Sequence, residues 1–269
     1  MKKIIALFCC IAILLCGCGK ATESDSESIK TTDSVSDTAI DNNNDETSAQ
    51  QNDNEINEVS GEYISYLPVL KDTYALIVTD TSEIVSGDGQ TGIVEMIGGL
   101  GNDGALDGIG YAILDINGDN VSELIIAVIN DEYYGNGNVV TRILAVYTLV
   151  NKAPTLVTEG WYRNRFFLKP DGTFYFEGSG GAAYTLFGIS ELTSEGNFKY
   201  LEYYYSDIDD NTGDAVYFMS TEYPVTDSSA EAITKDEFLS KNNELSTDVV
   251  KIDLTSFRYF KDNDFTITS

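Results

Sequence analysis

Residues 173–207 read TFYFEGSGGAAYTLFGISELTSEGNFKYLEYYYSD, and this stretch decides the predicted fold. It contains three runs rich in aromatic and β-branched residues, separated by breaks of Gly, Ser and Asn. Such runs favour β-strands, whereas the residues in the breaks favour turns. Connections this short join antiparallel neighbours, because a parallel pair needs a long crossover. The stretch therefore predicts three consecutive strands of an antiparallel meander.

The same pattern continues on both sides of this stretch. Further predicted strands are GYAILD, ELIIAVI, VVTRILAVYTLV and RNRFFL upstream, AVYFMS downstream, and DVVKIDLTSF as the last strand. Turn residues separate them, as in KPDGT at 169–173, SEGN at 194–197 and DIDDNTGD at 207–214, which we interpret as a surface hairpin. Two helices flank the strands: YISYLPVLKDTYALIVTDT at 63–81, interrupted near Pro68, and TKDEFLSKNNEL, with a Thr234–Glu237 capping box. The prediction is a single α+β domain, β-dominant, over residues 61–269.

The N-terminus has the features of a targeting segment. Lys2 and Lys3 precede the apolar run IIALFCCIAILL, which is too short to span a bilayer as a stable helix. The following LCGC, residues 15–18, resembles the lipobox of bacterial lipoprotein precursors. That resemblance implies a signal peptide over residues 1–17 and a diacylglycerol on Cys18. The alternatives are an ordinary secretory signal and an uncleaved anchor.

Residues 18–60 contain Ser, Thr, Asp, Asn, Glu and Gln with almost no large apolar side chains. Such a segment cannot bury enough surface to offset the entropy of ordering it. We expect a disordered acidic tether that carries the folded domain away from the membrane.

Composition excludes several classes of function. The chain has 16 Lys and Arg against 44 Asp and Glu, so it repels nucleic acid. It contains no His, and cleavage before Cys18 would leave no other cysteine in the mature chain. Histidine-based zinc sites, Ser-His-Asp triads and Cys-His dyads are therefore excluded. No pair of carboxylates stands out as catalytic.

The stretch DINGDNVSEL at 115–124 carries the clearest candidate site. The side chains of Asp115, Asn117 and Asp119 alternate, Val121 offers a backbone carbonyl, and Glu123 ends the set with a carboxylate. Several oxygens from a short stretch of backbone are what a hard cation requires. A polar β-turn without metal is the alternative, because Asp, Asn and Gly are also common turn residues.

The spacing departs from the EF-hand, which has Gly at the sixth position and Glu at the twelfth, where this chain has Asn120 and Ile126. DINGDNVSEL instead resembles the calcium loops of the FG-GAP and integrin-propeller class. With the lipobox, acidic tether and strand meander, it also resembles uncharacterised lipoproteins of Gram-positive bacteria. The resemblance implies calcium bound by Asp115, Asn117, Asp119, the Val121 carbonyl and Glu123. A single copy of the loop argues against a full propeller.

Weaker signals lie elsewhere in the chain. NDGALDG at 102–108 could supply a further oxygen to the loop, and EGSGGA at 177–182 predicts a Gly-rich bend between strands. Alternation places Tyr203 and Tyr205 on one face of a strand and Tyr204 on the other, so at least one face is core. The acid-flanked tyrosines of EYY at 132–134 and EYYY at 202–205 are also compatible with a sugar-binding platform.

Together these features predict a lipid-anchored lipoprotein on the extracytoplasmic face of a Gram-positive membrane. We interpret it as a calcium-stabilised binding module for a cell-wall glycan or a protein, and as a non-enzyme. The alternative is an extracytoplasmic hydrolase, for example of glycosidase type, that uses Asp and Glu as acid and base.

Overall fold

The computed structural model describes residues 53–79, 87–131, 139–181, 183–226 and 228–260. The signal peptide, Cys18, most of the predicted tether and the Tyr133–Tyr134 pair lie outside the described residues. The described residues belong to one compact unit, Ala49–Ser269. They form the helices α1 (Asp53–Val78), α2 (Thr91–Gly108) and α3 (Lys235–Leu245). The strands are β1 (Ile109–Leu114), β2 (Glu123–Asp131), β3 (Val140–Val150), β4 (Ala153–Glu159), β5 (Asn164–Leu168), β6 (Phe174–Gly181), β7 (Tyr184–Leu192), β8 (Phe198–Ile208), β9 (Ala215–Ser220), β10 (Glu231–Ile233) and β11 (Thr255–Ser256).

The eleven described strands form one antiparallel sheet, and the predicted β-dominant meander is confirmed. The order is β10-β9-β8-β7-β6-β5-β3-β2-β1-β11, and β4 pairs with β3 beside this path. Tight turns join neighbouring strands at Gly172, Gly196 and Gly213, whose φ angles are 82°, 79° and 75°. Glycine reaches positive φ without a steric penalty, so these turns form where the sequence places them. The predicted surface hairpin at 207–214 is the β8–β9 connection.

Side chains cover both faces of the sheet. On the face that we call the helix face, α1 and α2 pack over β1–β3 and α3 packs over β5–β9. The opposite face has its own cluster, which includes Ile125, Ile143, Phe166, Phe174 and Phe176. The meander thus has a hydrophobic core on each side. This explains why the sequences of several strands are nearly continuous in apolar residues.

Helix α1 is longer than predicted and continues without a break. It begins at Asp53, eight residues before the predicted domain boundary, and continues past Pro68 to Val78. The predicted interruption at Pro68 is therefore wrong. Helical spacing places Tyr66, Leu70 and Ile77 on one buried face, and this packing compensates for the hydrogen bond that proline cannot donate.

Helix α2 was not predicted, because six glycines in 18 residues give it a low intrinsic helix propensity. Tertiary contacts hold it instead, through the fully buried side chains of Ile93, Ile97 and Ala105. Gly101, at φ 71°, kinks the helix. Gly92 allows close approach to the turn after β4, since any side chain there would collide with the carbonyl of Gly160. No helix among the described residues is long and apolar enough to span a bilayer.

Helix α3 has the predicted capping box. The Thr234 hydroxyl accepts from the Glu237 amide at 3.2 Å, and the Glu237 carboxylate accepts from the Thr234 amide at 2.8 Å. These bonds satisfy N–H groups that lack partners in the first turn. The helix buries a single residue, Phe238, against the sheet.

The predicted last strand, DVVKIDLTSF, is mostly not a strand. Only Thr255–Ser256 pairs, with β1. Before it the backbone bonds to separate partners: Val250 donates to the Leu168 carbonyl at 2.7 Å, and Ile252 donates to the Thr141 hydroxyl at 2.9 Å. The apolar alternation arises because Val250, Ile252 and Leu254 all pack against the cluster on the face opposite the helices. A 3₁₀ helix, Phe257–Tyr259, follows.

Candidate functional site

The loop between β1 and β2 contains four residues of the predicted calcium set, and Glu123, the fifth, is the first residue of β2. Asp115 lies at the start of the loop, exposed, and its carboxylate accepts from the backbone amides of Gly118 at 2.8 Å, Asp119 at 3.2 Å and Asn120 at 3.0 Å. Gly118 and Asn120 both have positive φ, 74° and 65°. Asn tolerates this conformation better than most residues, so it can replace the usual glycine. One carboxylate thus organises the whole turn.

Asn117 and Asp119 bond to each other within this loop. The Asn117 amide donates to the Asp119 carboxylate at 2.9 Å, and the Asp119 backbone amide donates to the Asn117 side-chain oxygen at 3.2 Å. Asp119 also accepts from the Val121 amide at 2.8 Å. The two side chains therefore stiffen the second half of the turn.

Glu123 differs from the other members because it is completely buried. One carboxylate oxygen accepts from the Ile116 amide at 2.9 Å, and the other accepts from the Thr148 hydroxyl at 2.9 Å. Burial raises the pKa of Glu123 to about 7, the two hydrogen bonds oppose the rise, and repulsion from Asp119 and Asp115 adds to it. Glu123 thereby connects the two ends of the loop to the neighbouring strand β3.

Helix α1 supports the same end of the loop. The Tyr66 hydroxyl lies 2.8 Å from the Ser122 carbonyl and 3.2 Å from the Tyr147 carbonyl, and its side chain is fully buried. A buried hydroxyl without partners would be costly, so these contacts specify how α1 lies on the sheet. The loop is consequently attached to β3 through Glu123 and to α1 through Tyr66.

The three carboxylates of the predicted set are not grouped as a metal site in this arrangement. Among the described residues, no group of three or more Asp, Glu, His or Cys side chains is positioned to hold a metal ion. A carboxylate has about four lone-pair positions, of which Asp115 uses three and Asp119 uses two. Asp119 therefore has the larger unused capacity toward solvent. Calcium binding stays a prediction.

The stretch 102–108 does not supply an oxygen to this loop. The Asn102 amide donates to the carbonyls of Ile77 and Thr79 at 2.6 and 2.5 Å, which closes the C-terminal end of α1. Asp107 pairs with Arg258, and the hydrogen bond from that guanidinium holds the pKa of Asp107 below its usual range. These side chains stabilise α1 and α2, so the suggestion that they complete the loop is wrong.

A second candidate site lies on the opposite face of the sheet, over β8 and β9. We call it the aromatic platform and define it by five residues: Tyr200, Tyr203, Tyr205, Phe218 and Tyr223. The first four are half-buried, whereas the Tyr223 side chain is 55% exposed. The predicted alternation is confirmed, because Tyr204 points to the helix face and stacks on Phe187 with ring centroids 5.0 Å apart.

The platform rings form a continuous network. Tyr223 lies 4.4 Å from Tyr200 and 5.3 Å from Tyr203, while Tyr205 stacks on Phe218 at 5.1 Å, all between ring centroids. Tyr203 and Tyr205 are 6.0 Å apart and join the two groups. The network therefore joins the exposed ring of Tyr223 to the half-buried rings beside it.

Three local features build the platform. A bulge opposite Ile189 and Ser190 brings Tyr200 onto the same face as Tyr203, although their spacing is odd. Gly188 allows the close approach of β8, since a Cβ there would collide with the Glu202 carbonyl and with the Phe176 ring, on which Tyr200 and Tyr203 pack. The Ser220 hydroxyl donates to the Glu222 carbonyl at 3.0 Å and so bends the chain after β9.

Sequence reasoning found only part of this site. Tyr203 and Tyr205 belong to the EYYY run, but Tyr223 lies in the turn TEYP, and its Tyr223–Pro224 peptide is cis. A lone tyrosine in a polar turn gives no signal that it folds back over a strand 20 residues earlier. Burial raises the pKa of Tyr200 to about 12, and that of Tyr203 also rises. Both hydroxyls are therefore neutral at physiological pH.

Comparison with models of known protein families, with curated protein sequences and with solved structures gave no match. Any assignment of function must therefore come from the chain's own residues.

Proposed function

We propose that this chain is a lipid-anchored, extracytoplasmic binding module of a Gram-positive bacterium whose ligand is a cell-wall glycan bound on the aromatic platform. The observation that carries the proposal is the network formed by the exposed ring of Tyr223 and the half-buried rings of Tyr200 and Tyr203. Tyrosine combines an apolar ring face with a hydroxyl that both donates and accepts hydrogen bonds. A sugar offers the matching combination of C–H faces and hydroxyl groups.

The N-terminal sequence supports the proposed location. The LCGC motif provides a lipid site at Cys18, and residues 19–52 provide a polar connection of about 34 residues between that site and α1. A flexible chain of that length has a root-mean-square reach on the order of 30 Å. Such a reach would hold the module within the layer of wall polymer next to the membrane.

The hydrolase alternative has weaker support. Acid–base catalysis needs a carboxyl group that is poised near neutral pH and can reach substrate. Glu123 has a pKa of about 7, but its side chain is completely buried and both its oxygens accept hydrogen bonds from the protein. Its position suits a structural role.

Replacing Tyr223 with Ala is expected to weaken binding of the full chain to purified peptidoglycan by about tenfold, on the order of 1.4 kcal/mol. The change removes the most exposed ring of the platform and leaves its half-buried rings in place. A sedimentation assay with insoluble peptidoglycan measures the bound fraction.

The matched control is Tyr259→Ala. Tyr259 is 72% exposed and follows β11, at the edge of the sheet far from β8 and β9. This variant should bind peptidoglycan as the parent chain does. Equal binding by the Tyr223 variant, or equal losses in both variants, would refute the platform as the glycan site.

We also propose that calcium stabilises the β1–β2 loop. The support is electrostatic, since Asp115 and Asp119 both raise the pKa of Glu123 through repulsion. A divalent cation near Asp119 would relieve this repulsion. The exposed rim of the loop would provide the entry path, because Asp115 lies at the surface.

Calcium is expected to raise the melting temperature of the full chain, and Asp119→Ala is expected to abolish the rise. A ligand at a hundredfold excess over its Kd adds roughly 2.7 kcal/mol to the free energy of unfolding. Asp209→Ala is the control, because Asp209 makes similar turn bonds, to Asn211 and Thr212 in the β8–β9 connection. Differential scanning calorimetry measures both; a calcium response that survives in the Asp119 variant contradicts the proposal.

A further inference from the structure

The turn between β4 and β5, together with the start of β5, carries two of the four arginines of a strongly acidic chain. The chain carries 44 acidic and 16 basic residues, yet Arg163 and Arg165 lie two positions apart here. Trp161 and Asn164 exchange backbone hydrogen bonds of 2.8 and 3.0 Å, so Tyr162 and Arg163 form the tip of a two-residue turn. The turn presents an aromatic ring and a guanidinium side by side.

These residues line an open pocket of about 260 Å³. Its lining consists of Tyr162, Arg163, Arg165, Ser179 and Gly181. Strand register places Arg165 opposite Glu177 on the helix face of the sheet, the side away from the aromatic platform. The pocket is therefore separate from the platform.

Arg163 is the one arginine of the chain that lacks a carboxylate partner among the described residues. The other three each form an ion pair: Arg142 with Asp131, Arg165 with Glu177, and Arg258 with Asp103 and Asp107. Arg163 is exposed to solvent. Since no carboxylate of the described ranges pairs with it, this guanidinium can pair with an anion from outside.

The rest of the pocket is held in place. Arg165 binds Glu177 at 3.0 Å and donates to the Tyr162 carbonyl at 3.3 Å, so Glu177 balances its charge and fixes the guanidinium. The remaining positive charge of the pocket belongs to Arg163. The Glu95 carboxylate from α2 accepts from the Tyr162 amide at 2.6 Å and anchors the turn from outside.

Close packing against β3 and a hydrogen bond to β4 also hold the turn in place. A side chain at Gly160 would collide with the carbonyl of Ile143, so the chain passes close to β3 before it reaches Tyr162. The side-chain amide of Asn164 donates to the Glu159 carbonyl at 3.2 Å across the turn. A site whose framework is already ordered loses little conformational entropy on binding.

We propose that this pocket binds the carboxylate of an acidic sugar, in a site additional to the glycan platform. A guanidinium pairs with a carboxylate through two parallel hydrogen bonds, which Arg163 can form without breaking an existing ion pair. The Tyr162 ring, 67% exposed, offers a stacking face for the sugar. The Ser179 hydroxyl, which donates to the Gly181 carbonyl at 2.9 Å, keeps one acceptor position for the sugar. The volume suits one monosaccharide and is below the range typical of drug-sized ligands.

The test is a set of titrations of the full chain with D-glucuronate, D-glucose and acetate, followed by NMR. Glucuronate should bind more tightly than glucose, which lacks the carboxylate, and more tightly than acetate, which lacks the ring. Arg163→Gln should weaken glucuronate binding by about tenfold to hundredfold, because it removes a charge-assisted bidentate pair. Added salt should weaken binding to the parent chain.

Two controls separate this site from other effects. Lys251→Gln removes the same charge from an exposed position after α3 and should leave glucuronate binding unchanged. Tyr223→Ala should also leave it unchanged, so the platform and the pocket can fail independently. Absence of glucuronate binding, equal binding of glucose or acetate, or equal losses in the Arg163 and Lys251 variants would each overturn the proposal.

Discussion

Glu123→Gln is expected to stabilise the protein above pH 7 by about 3 kcal/mol while leaving it nearly unchanged below pH 4.5. The estimate follows from a pKa of about 7 in the folded chain against 4.5 in the unfolded chain, at about 1.4 kcal/mol for each pH unit. Glutamine keeps the size of the side chain and an oxygen for the Ile116 amide. The Thr148 hydroxyl can turn to accept from the new amide group.

The sign follows from proton binding in the two states. Between pH 4.5 and pH 7 the folded chain keeps the proton on Glu123 and the unfolded chain has released it. The contribution of this group to stability is therefore present at low pH and is lost as the pH rises toward 7. Above pH 7 the folded chain carries a buried carboxylate, whose desolvation glutamine avoids.

The measurement is chemical denaturation of both proteins at several pH values from 4 to 8. Their difference in unfolding free energy should grow across this range, while other carboxylates cancel in the comparison. Glu195→Gln, at an exposed turn between β7 and β8, serves as the control and should give a flat difference. A constant offset between Glu123→Gln and the parent would show that Glu123 does not titrate in this range.

Phe238→Ala is expected to lower the free energy of unfolding by about 3–5 kcal/mol, the usual range for removing a buried phenylalanine. Phe238 is 3% exposed and is the only buried residue of α3. Its ring contacts those of Phe187 at 4.8 Å and Tyr217 at 4.9 Å between centroids. No other α3 residue is buried to replace these contacts, so the helix should also lose protection from hydrogen exchange.

Leu239→Ala provides a matched control in the next position of the same helix. Leu239 is 46% exposed, so its truncation should change stability by less than about 0.5 kcal/mol. Denaturation and amide exchange of α3 should separate the two variants clearly. If both variants behave alike, α3 does not depend on the Phe238 contact for its attachment to the sheet.

The strands could be predicted because the residue types of each strand and of each turn favour the structure that the segment adopts. Each run around 173–207 has aromatic and β-branched residues, and each break has a turn residue that reaches positive φ, such as Gly172 or Gly196. Local preference and tertiary position point to the same structure here. The prediction of the Thr234–Glu237 capping box is confirmed for the same reason, because its hydrogen bonds span only three residues.

The sequence did not reveal those features in which contacts between distant parts of the chain outweigh local preference. Helix α2 forms despite its glycines because Ile93 and Ile97 reach a core that the sequence does not reveal. At the β1–β2 loop the spacing placed Asp115, Asn117 and Asp119 together as expected. It gave no indication that Glu123 faces inward to a hydroxyl on β3, 25 positions later. No sequence pattern marks Arg163, because its lack of a carboxylate partner among the described residues depends on which acidic side chains other strands bring near it.

The pairing of β11 with β1 affects how the sheet is protected while the chain is being made. Strand β1 lies next to the edge of the sheet, and only the two residues of β11 cover it, through Gly110 and Tyr111. An uncovered edge presents free N–H and C=O groups to other chains and promotes aggregation. Since synthesis proceeds from the N-terminus, β1 emerges about 145 residues before its cover. The nascent chain therefore has an uncovered edge for about half of its synthesis, and truncation before residue 255 would make that edge permanent.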